Sequence, residues 1–427
     1  MQGFYRSLVA LGITSASTFA TANQYPIGLE QVYQSALSGS NEYRAMQQES
    51  LSSEALLDAE QKYYLPKAAL IGEWNRYYGE EELDPNTEDT LTLNIDMTLW
   101  GSGVSDRKDA ARYNHMATDF QMEEMQLSIY QDVLRYLAKI ERIRDYLDAN
   151  EAIGTRLDRY VQRQRVASNA GSAPFSDLRE AELEQSRYHD TVSRVRARID
   201  QMFRALREET NYWPEDPNQV GLSDAVLTQL LAEDISAVDI DAITRNNYGL
   251  QGRQLQLDAQ LSSAQAQRER FRVSLVNETQ LEVMGDDNWD SGDVKSDSFV
   301  GIKATYDLFN YQNSKSQQSA LYLYEAEKER FDRQMLDMSS RLNALQEEYR
   351  EIQNNRDSLL GQIALNESLV EAQESELLID KLDYVDIIKS LASLNQSYVT
   401  LLDYDLALTD AVVDTLELSS KRLTLSE

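Results

Sequence analysis

The residues whose types and spacing come nearest to a ligand-binding pattern lie in an acidic segment of the second half of the chain. Asp286, Asn288 and Asp290 alternate as oxygen ligands do in a calcium-binding loop. Gly292 falls one place later than the glycine of such a loop, and Asp297 stands where a glutamate is expected. We therefore interpret this segment as a solvated acidic turn, and calcium binding by it stays open as the alternative.

Other chemistry finds little support. The chain has 2 histidines, His115 and His189, and each stands alone on a predicted helix face, as a solvated or packed histidine does. There is no cysteine, which removes thiol chemistry, thiolate metal sites and disulfides. The run Gly101-Ser102-Gly103 lacks the third glycine and the βαβ context of a dinucleotide-binding loop. We predict that the protein is not an enzyme and carries neither a metal nor a cofactor.

The composition limits the partners. The chain of 427 residues is 42% apolar and 26% charged, which allows a sizeable buried core. Its net charge of −31 argues against binding to nucleic acid or to an anionic membrane surface, because both would repel it. Cationic partners stay open, and so does a role of the charge in solubility alone.

Residues 1–22 have the pattern of a secretory signal peptide. Arg6 precedes a mostly apolar run of small residues, and Ala20-Thr21-Ala22 matches an Ala-x-Ala cleavage site. The alternative is a disordered N-terminus. No later stretch has about 18 consecutive apolar residues, so the sequence predicts no membrane-spanning helix. We expect any insertion into a membrane to use strands.

Two long stretches, about residues 106–168 and 314–378, carry apolar residues at spacings of four and three, the seam of a left-handed coiled coil. At about 1.5 Å per residue the second would form a helix of roughly 100 Å, too long for a compact domain. Seam positions Ile143 and Ile352 are 209 residues apart, as are other pairs along the two stretches. We interpret the chain as a tandem duplication. The first repeat is 23–210, the inter-repeat linker or equatorial region is 211–239, and the second repeat is 240–427.

Each repeat also contains shorter helices and two strands. The predicted shorter helices cover residues 27–64, 177–210, 240–268 and about 384 to the 420s. Alternating apolar and polar residues predict strands at about 68–78, 90–100, 271–283 and 298–309. Trp100 and Phe309, also 209 residues apart, close the second strand of each hairpin at an expected water interface. The order helix, strand, strand, long helix, helix occurs twice.

Four strands of about ten residues have the length that crosses a bilayer in a tilted barrel, but they cannot close one. Because lipid tolerates no open sheet edge, several copies would have to pool their strands. The long helices would then form a hollow cylinder that continues the barrel. The alternative is a soluble sheet packed on helices, which would make the protein a periplasmic coiled-coil adaptor or scaffold.

The chain resembles the TolC family of outer-membrane export channels over about residues 25–419. The resemblance rests on Tyr64-Leu65-Pro66 before the first hairpin, on Thr98-Leu99-Trp100-Gly101-Ser102-Gly103 after it, and on Asn169-Ala170-Gly171 with Asp177-Leu178 between the helices. It implies a mainly helical homotrimer in which a twelve-stranded transmembrane β-barrel continues into a helical tunnel through the periplasm. It also implies a periplasmic adaptor, an inner-membrane pump and outer-membrane lipid as partners. The cargo, small compounds or a polypeptide, is left open.

The resemblance also places a gate at the periplasmic tips of the tunnel, where the family has a glycine six residues before an aspartate. Gly171 and Asp177 fit this pattern in the first repeat. In the second repeat Asp386 lies 209 residues after Asp177, but Asp380 occupies the glycine position. The family's next acidic position is Lys389 here, and its gate arginine is replaced by Leu382, next to Lys381. We expect Asp383 at the same tip, and we expect the gate's ion pairs to be rearranged.

From the residues alone, Asp177 has a second interpretation. It can be the N-cap of the helix that follows Pro174, with Glu180 three residues later completing a capping box. This role can coexist with a place at the aperture.

Overall fold

The computed structural model describes residues 27–77, 86–285, 293–377 and 383–423. The predicted signal peptide, the calcium-like residues from Asp286 to Gly292, and Asp380, Lys381 and Leu382 lie outside the described residues.

Within these residues the predicted fold class, a mainly helical chain with two repeats of helices and paired strands, is confirmed. The first repeat consists of α1 Leu29–Gly39, α2 Asn41–Gln61, β1 Lys67–Tyr77, β2 Asn86–Gly101, α3 Val104–Asn169 and α4 Phe175–Thr210. The second consists of α5 Asp224–Ala232, α6 Ile240–Asn246, α7 Tyr248–Ala266, β3 Phe271–Gly285, β4 Asp293–Tyr306, α8 Tyr311–Leu377 and α9 Tyr384–Leu418.

The first predicted helix of each repeat is wrong in one respect, because each is two helices. Ser40 is extended and its hydroxyl accepts a hydrogen bond from the Tyr43 amide at 3.2 Å, so it ends α1 and caps α2. Asn247 does the same between α6 and α7, where Oδ1 accepts from the Leu250 amide at 2.8 Å. At both places a capping side chain marks the end of one helix and the start of the next.

The four strands form one antiparallel sheet in the order β1-β2-β3-β4. The pairing of β2 with β3 joins the hairpins of the two repeats side by side, with Leu91 opposite Leu281 and Met97 opposite Leu275. In the same register Thr98 pairs with Ser274, but Trp100 pairs with Val273, so a bulge lies between them. β1 and β4 are the two edges of this sheet.

The long helices lie in two rows. Toward the sheet, α3 packs between α2 and α7, and α7 packs on α8. Toward the opposite end, α3 packs against α4 and α9, and α9 packs on α8. The predicted seam residues of α3 face these partners, and Val133, Ile140, Ile143 and Leu157 are fully buried.

The inter-repeat segment is part of the core rather than a loose joint. Residues 220 and 27 form a short parallel bridge, in which the Ile27 amide donates to the Gln219 carbonyl at 3.2 Å. Val220, Leu222 and Leu230 are buried in the main cluster. Arg144 of α3 donates to the carbonyls of Pro217 and Val220 at 2.9 and 3.0 Å, which fixes the segment against the long helix.

Candidate channel-forming surfaces and entrance

The sheet has one apolar and one polar face. Leu70, Ile95, Leu275 and Ile302 lie on one face, while Asn94, Asp96, Ser274 and Lys303 alternate with such residues on the other. The apolar face is bare: Leu70 is 67% exposed and Ile302 is 73% exposed. The two edge strands, β1 and β4, have no strand partner on their outer side among the described residues.

An aromatic row crosses the sheet at the end that joins the helices. The rings of Trp100 and Phe271 are 5.3 Å apart, and those of Phe271 and Tyr306 are 6.4 Å apart. The bulge after Thr98 sets Trp100 opposite Val273 and brings it to this row. β4 ends at Tyr306, not at Phe309 as predicted, because Asn310 caps the start of α8 through the Asn313 amide at 2.9 Å. Phe309 lies in this connection, exposed, and the neighbour of Trp100 is Phe271 instead.

Apolar side chains are also exposed on the outer helices of both rows. On the sheet side these are Leu51 and Leu56 of α2 at one end of the row and Tyr322 and Leu323 of α8 at the other. On the opposite side they are Leu183 of α4 and Leu365 of α8. Each row therefore ends in two helices whose outer faces carry large apolar side chains that no other described part of the chain covers.

The first tip is the tight turn between α3 and α4. Gly171 has φ +74°, and the amides of Gly171 and Ser172 donate to the carbonyls of Ser168 and Ala167, both at 3.0 Å. This is the pattern of a Schellman-type turn, in which a residue with a left-handed backbone ends the helix. The backbone angle alone accounts for a glycine at position 171. Space around it is open, so the requirement is the backbone angle rather than packing.

Asp177 is not a helix cap, so the capping-box interpretation is wrong. The N-cap of α4 is Pro174, which places Asp177 in the third helical position. Asp386 has the same place in α9, whose N-cap is Asp383. Both carboxylates thus lie in the first turn of a helix, where the partial positive charge of the helix end stabilises an anion. Asp177 is half-buried and Asp386 is exposed.

Lys389 joins the two tips. Its Nζ lies 2.9 Å from Oε1 of Glu180, which connects the second turns of α9 and α4. The hydrogen bond that Lys389 donates to Glu180, together with the negative charges of Glu180, Asp386 and Asp177, raises the pKa of Lys389. Sequence reasoning had given Glu180 a capping role, and it could not find this ion pair because the two residues are more than 200 positions apart.

Further polar contacts fasten the two helical hairpins together above the tips. Arg156 and Tyr160 of α3 both donate to Oε1 of Glu374 on α8, at 3.0 and 2.7 Å. Arg198 of α4 donates to Asp403 of α9 at 2.7 Å. The spacing of seam residues gives no signal for such contacts, because it indicates which face of a helix is buried and not which helix covers it.

The structure brings His115 together with residues that the sequence had not connected to it. Its Nδ1 lies 3.1 Å from Ser53 Oγ and its Nε2 lies 3.6 Å from Asp119 Oδ2, while Ser50 donates to Asp119 at 3.0 Å. These contacts tie α2 to α3. His189 lies 3.3 Å from Asp158 on the surface.

Across the described ranges there is no group of three or more histidine, cysteine or acidic side chains placed to hold a metal ion.

None of the described helices combines the length and the apolar character needed to cross a membrane.

Comparison by sequence finds no matching family model and no matching curated protein. Comparison of structures finds several matches. The outer-membrane channel OprN has a TM-score of 0.75 at 13% identity, covering 92% of this chain and 90% of its own. The outer membrane protein VceC of Vibrio cholerae has a TM-score of 0.74 at 13% identity, covering 93% of this chain and 97% of its own. The CmeC outer membrane channel of Campylobacter jejuni has a TM-score of 0.73 at 14% identity, covering 92% of this chain and 85% of its own. Along nearly its whole length, the chain has the fold of a TolC-type outer-membrane channel.

Proposed function

We propose that three copies of this chain form an export duct in the outer membrane. The duct is a passive conduit of a tripartite efflux or type I secretion system, open to the outside at one end and docked through a periplasmic adaptor on an inner-membrane pump at the other. It performs no catalysis and needs no cofactor. The observation that carries the proposal is the four-stranded sheet with two open edges and a bare apolar face, built into a channel fold.

The open sheet supports assembly. An isolated sheet with unpaired backbone groups at both edges cannot stand in lipid, whereas β1 of one copy beside β4 of the next removes every edge. Because the sheet has an even number of strands, that junction is antiparallel like the others. The apolar face then contacts lipid, and the face with Asn94, Asp96 and Lys303 lines water.

The helices support the same assembly. The exposed leucines of α2 and α8 end one row, and those of α4 and α8 end the other, so a ring of three copies buries both sets. Burial of such side chains stabilises association by about 25 cal/mol for each Å² of apolar surface removed from water. Twelve helices in each half would enclose a tunnel that continues the barrel.

The tips form the entrance in this proposal. Gly171, Asp177, Asp383, Asp386 and Lys389 lie near the helix ends farthest from the sheet, and Asp380 lies outside the described residues. Repeated three times around an axis, Asp177 and Asp386 give an acidic ring, and the Glu180–Lys389 contact holds the hairpins of one copy together.

Disulfide scanning across the subunit junction tests the assembly, and the chain suits it because it has no cysteine of its own. Ala69→Cys in β1 is combined in turn with Gly301→Cys, Lys303→Cys and Thr305→Cys in β4. At least one pair should give a covalent trimer ladder after mild oxidation in isolated outer membranes, because paired strands bring Cα atoms within about 4.4–6.8 Å.

Each single-cysteine variant is the control and should form no ladder. If every pair stays monomeric and the protein remains in the periplasmic extract, the adaptor or scaffold alternative is correct instead. A conductance in planar bilayers from the purified oligomer, absent from the monomer, tests the duct itself.

A further inference from the structure

Although the chain as a whole is strongly acidic, basic side chains are in excess where the helices meet the sheet. Residues 61–67 and 265–272 hold five basic residues and one acidic residue between them, in a chain whose net charge is −31. The denser group is Arg268, Arg270 and Arg272, between the end of α7 and the start of β3. Salt screens charge interactions beyond about 8 Å at physiological ionic strength, so this group acts locally and not through the average charge of the chain.

The one acidic residue of this region, Glu269, is already paired with two arginines. Glu269 accepts from Arg272 at 3.2 Å and from Arg107 at 2.5 Å, so two guanidinium groups share its charge. The side chains of Arg268 and Arg270 have no carboxylate within ion-pairing distance anywhere in the described ranges. Both arginines are exposed.

These arginines line two adjoining cavities at the joint between the sheet and the long helices. The first, of about 320 Å³, is lined by Arg270, Arg272, Thr305, Asp307 and Asn313, among others. The second, of about 250 Å³, adds Arg268 and Gln317. Gln317 Nε2 is a buried donor without an acceptor among the described residues.

The first cavity is lined in part by residues of the polar face of the sheet, Arg272 and Thr305. Arg272 pairs with Thr305 across β3 and β4, and this pair alternates with the apolar pair Phe271–Tyr306. Because neighbouring residues on a strand point to opposite faces, Arg272 and Thr305 lie on the same face as Lys303 and Ser274. In the proposed trimer that face lines the neck of the duct.

We propose that this neck is an anion-binding site, which holds a phosphate or carboxylate group of solutes that pass through the duct. Arg270 and Arg268 supply charged donors that are not already paired, and Gln317 supplies a neutral donor. Guanidinium groups suit such anions because their planar N–H groups match two oxygens at once. The acidic tips and the basic neck then give the duct opposite selectivities at its two ends. The inference rests on the proposed duct.

Glu269 and Asp307 are the acidic residues on the walls of both cavities, and because Glu269 is paired with Arg107 and Arg272, Asp307 is the opposing group. Its carboxylate carries no ion pair in the described part of the chain, and it repels an incoming anion. Neutralising Asp307 should therefore strengthen anion binding, while neutralising the arginines should weaken it. Two changes of opposite sign separate a binding role from general damage to the fold, which would weaken binding in both.

The experiment records single oligomers of the full chain in planar bilayers, with pyrophosphate added from the side of the sheet as the probe. Pyrophosphate should block the wild-type current. Arg268→Gln with Arg270→Gln should raise the half-blocking concentration roughly tenfold or more, because charge-assisted hydrogen bonds are lost. Asp307→Asn should lower that concentration. The matched control removes two exposed arginines from helices elsewhere, Arg194→Gln with Arg333→Gln, and should leave the block unchanged.

An open channel whose block is absent, or is the same in the arginine variant and the control, overturns the anion site and leaves the duct standing. A block that weakens in Asp307→Asn as much as in the arginine variant also overturns it. A wild-type protein that gives no conductance at all contradicts the proposed duct itself. Failure of the anion site and failure of the duct are therefore distinguishable.

Discussion

The long helices α3 and α8 are repeats of each other in sequence but not in packing. α3 lies in the middle of both helix rows and is covered by α2, α4, α7 and α9, whereas α8 lies at the outside and is covered on one side by α7 and α9. The seam residues of α8 from Leu342 to Ile363 are buried, yet Leu323, Leu336 and Leu365 are bare. The two helices carry the same spacing of apolar residues, and the position of each in the row decides which is buried on all sides and which exposes its outer face.

The charged residues of α3 and α8 also differ in burial at matching positions of the repeat. Asp132 of α3 corresponds to Arg341 of α8, 209 residues later, and both approach Asp414 of α9. On α3 the carboxylate is largely buried, while on α8 the arginine is exposed. The same position in the repeat therefore carries opposite charges on the two sides of α9.

The largest effect should come from truncating the central helix. Ile140→Ala removes a fully buried side chain from the core around α3 and should destabilise the single copy by about 2–5 kcal/mol. Leu323→Ala removes an exposed side chain from α8 and should leave the single copy unchanged while lowering the temperature at which the oligomer dissociates. Thermal unfolding by circular dichroism and gel mobility of the oligomer measure the two effects. Equal loss of monomer stability in both variants would contradict the inequality of the helices.

Each long helix contains one glycine, and the two should respond with opposite signs. A methyl group at Gly154 would lie 2.5 Å from the hydroxyl of Tyr188, a buried ring that donates to the Asn150 carbonyl at 2.7 Å. Gly154→Ala should cost about 1–3 kcal/mol through overpacking. A methyl group added at Gly361 would have no atom within 4 Å apart from the backbone of its own helix. Gly361→Ala should therefore stabilise α8 by about 0.5–1 kcal/mol. Melting temperatures that move in the same direction would break the comparison.

The buried carboxylate of α3 should make stability depend on pH. Burial raises the pKa of Asp132 to about 6, Arg135 opposes this, and Glu209, Glu417 and Asp414 add to it. Because the folded pKa lies above the unfolded value of 3.8, the contribution of this group is full below that value and is lost as pH rises through about 6. Asp132→Asn should therefore stabilise the protein at about pH 7.5, by on the order of 2 kcal/mol, and have little effect near pH 4.

Asp190→Asn is the control for this prediction, since Asp190 is exposed and pairs with Arg194 in the same helix at 3.3 Å. Its effect on the melting temperature should be small at both pH values. A gain for Asp132→Asn that is the same at low and neutral pH would show that burial of the charge is not its cause.

The smallest effect on stability is expected at the tips. Lys389 and Glu180 are both exposed, so Lys389→Gln should change stability little, as surface ion pairs do. If the tips form the proposed entrance, Asp386→Ala should weaken cation preference and make the pore leakier to large solutes, while Lys389→Gln should strengthen cation preference. Reversal potentials and solute exclusion in planar bilayers measure both. Unchanged selectivity in both variants would remove these residues from the entrance.

Much of this architecture could be predicted from the sequence because it is written in local periodicities. A spacing of four and three marks the long helices and their buried seams, and strict alternation marks the strands with two different faces. The repeat follows from a shared offset between matching positions, which is 209 residues along the long helices. The left-handed angle at Gly171 also suits the residue type, since glycine meets it without a steric penalty.

The rest depended on contacts between distant residues. Only the tertiary structure placed β2 beside β3, turned Trp100 toward Phe271 through a bulge, and paired Lys389 with Glu180. It alone put α3 inside and α8 outside, although both carry the same seam. Periodicity indicates that a face is apolar, but the partner that covers it is set by how whole elements pack, which no local window of sequence contains.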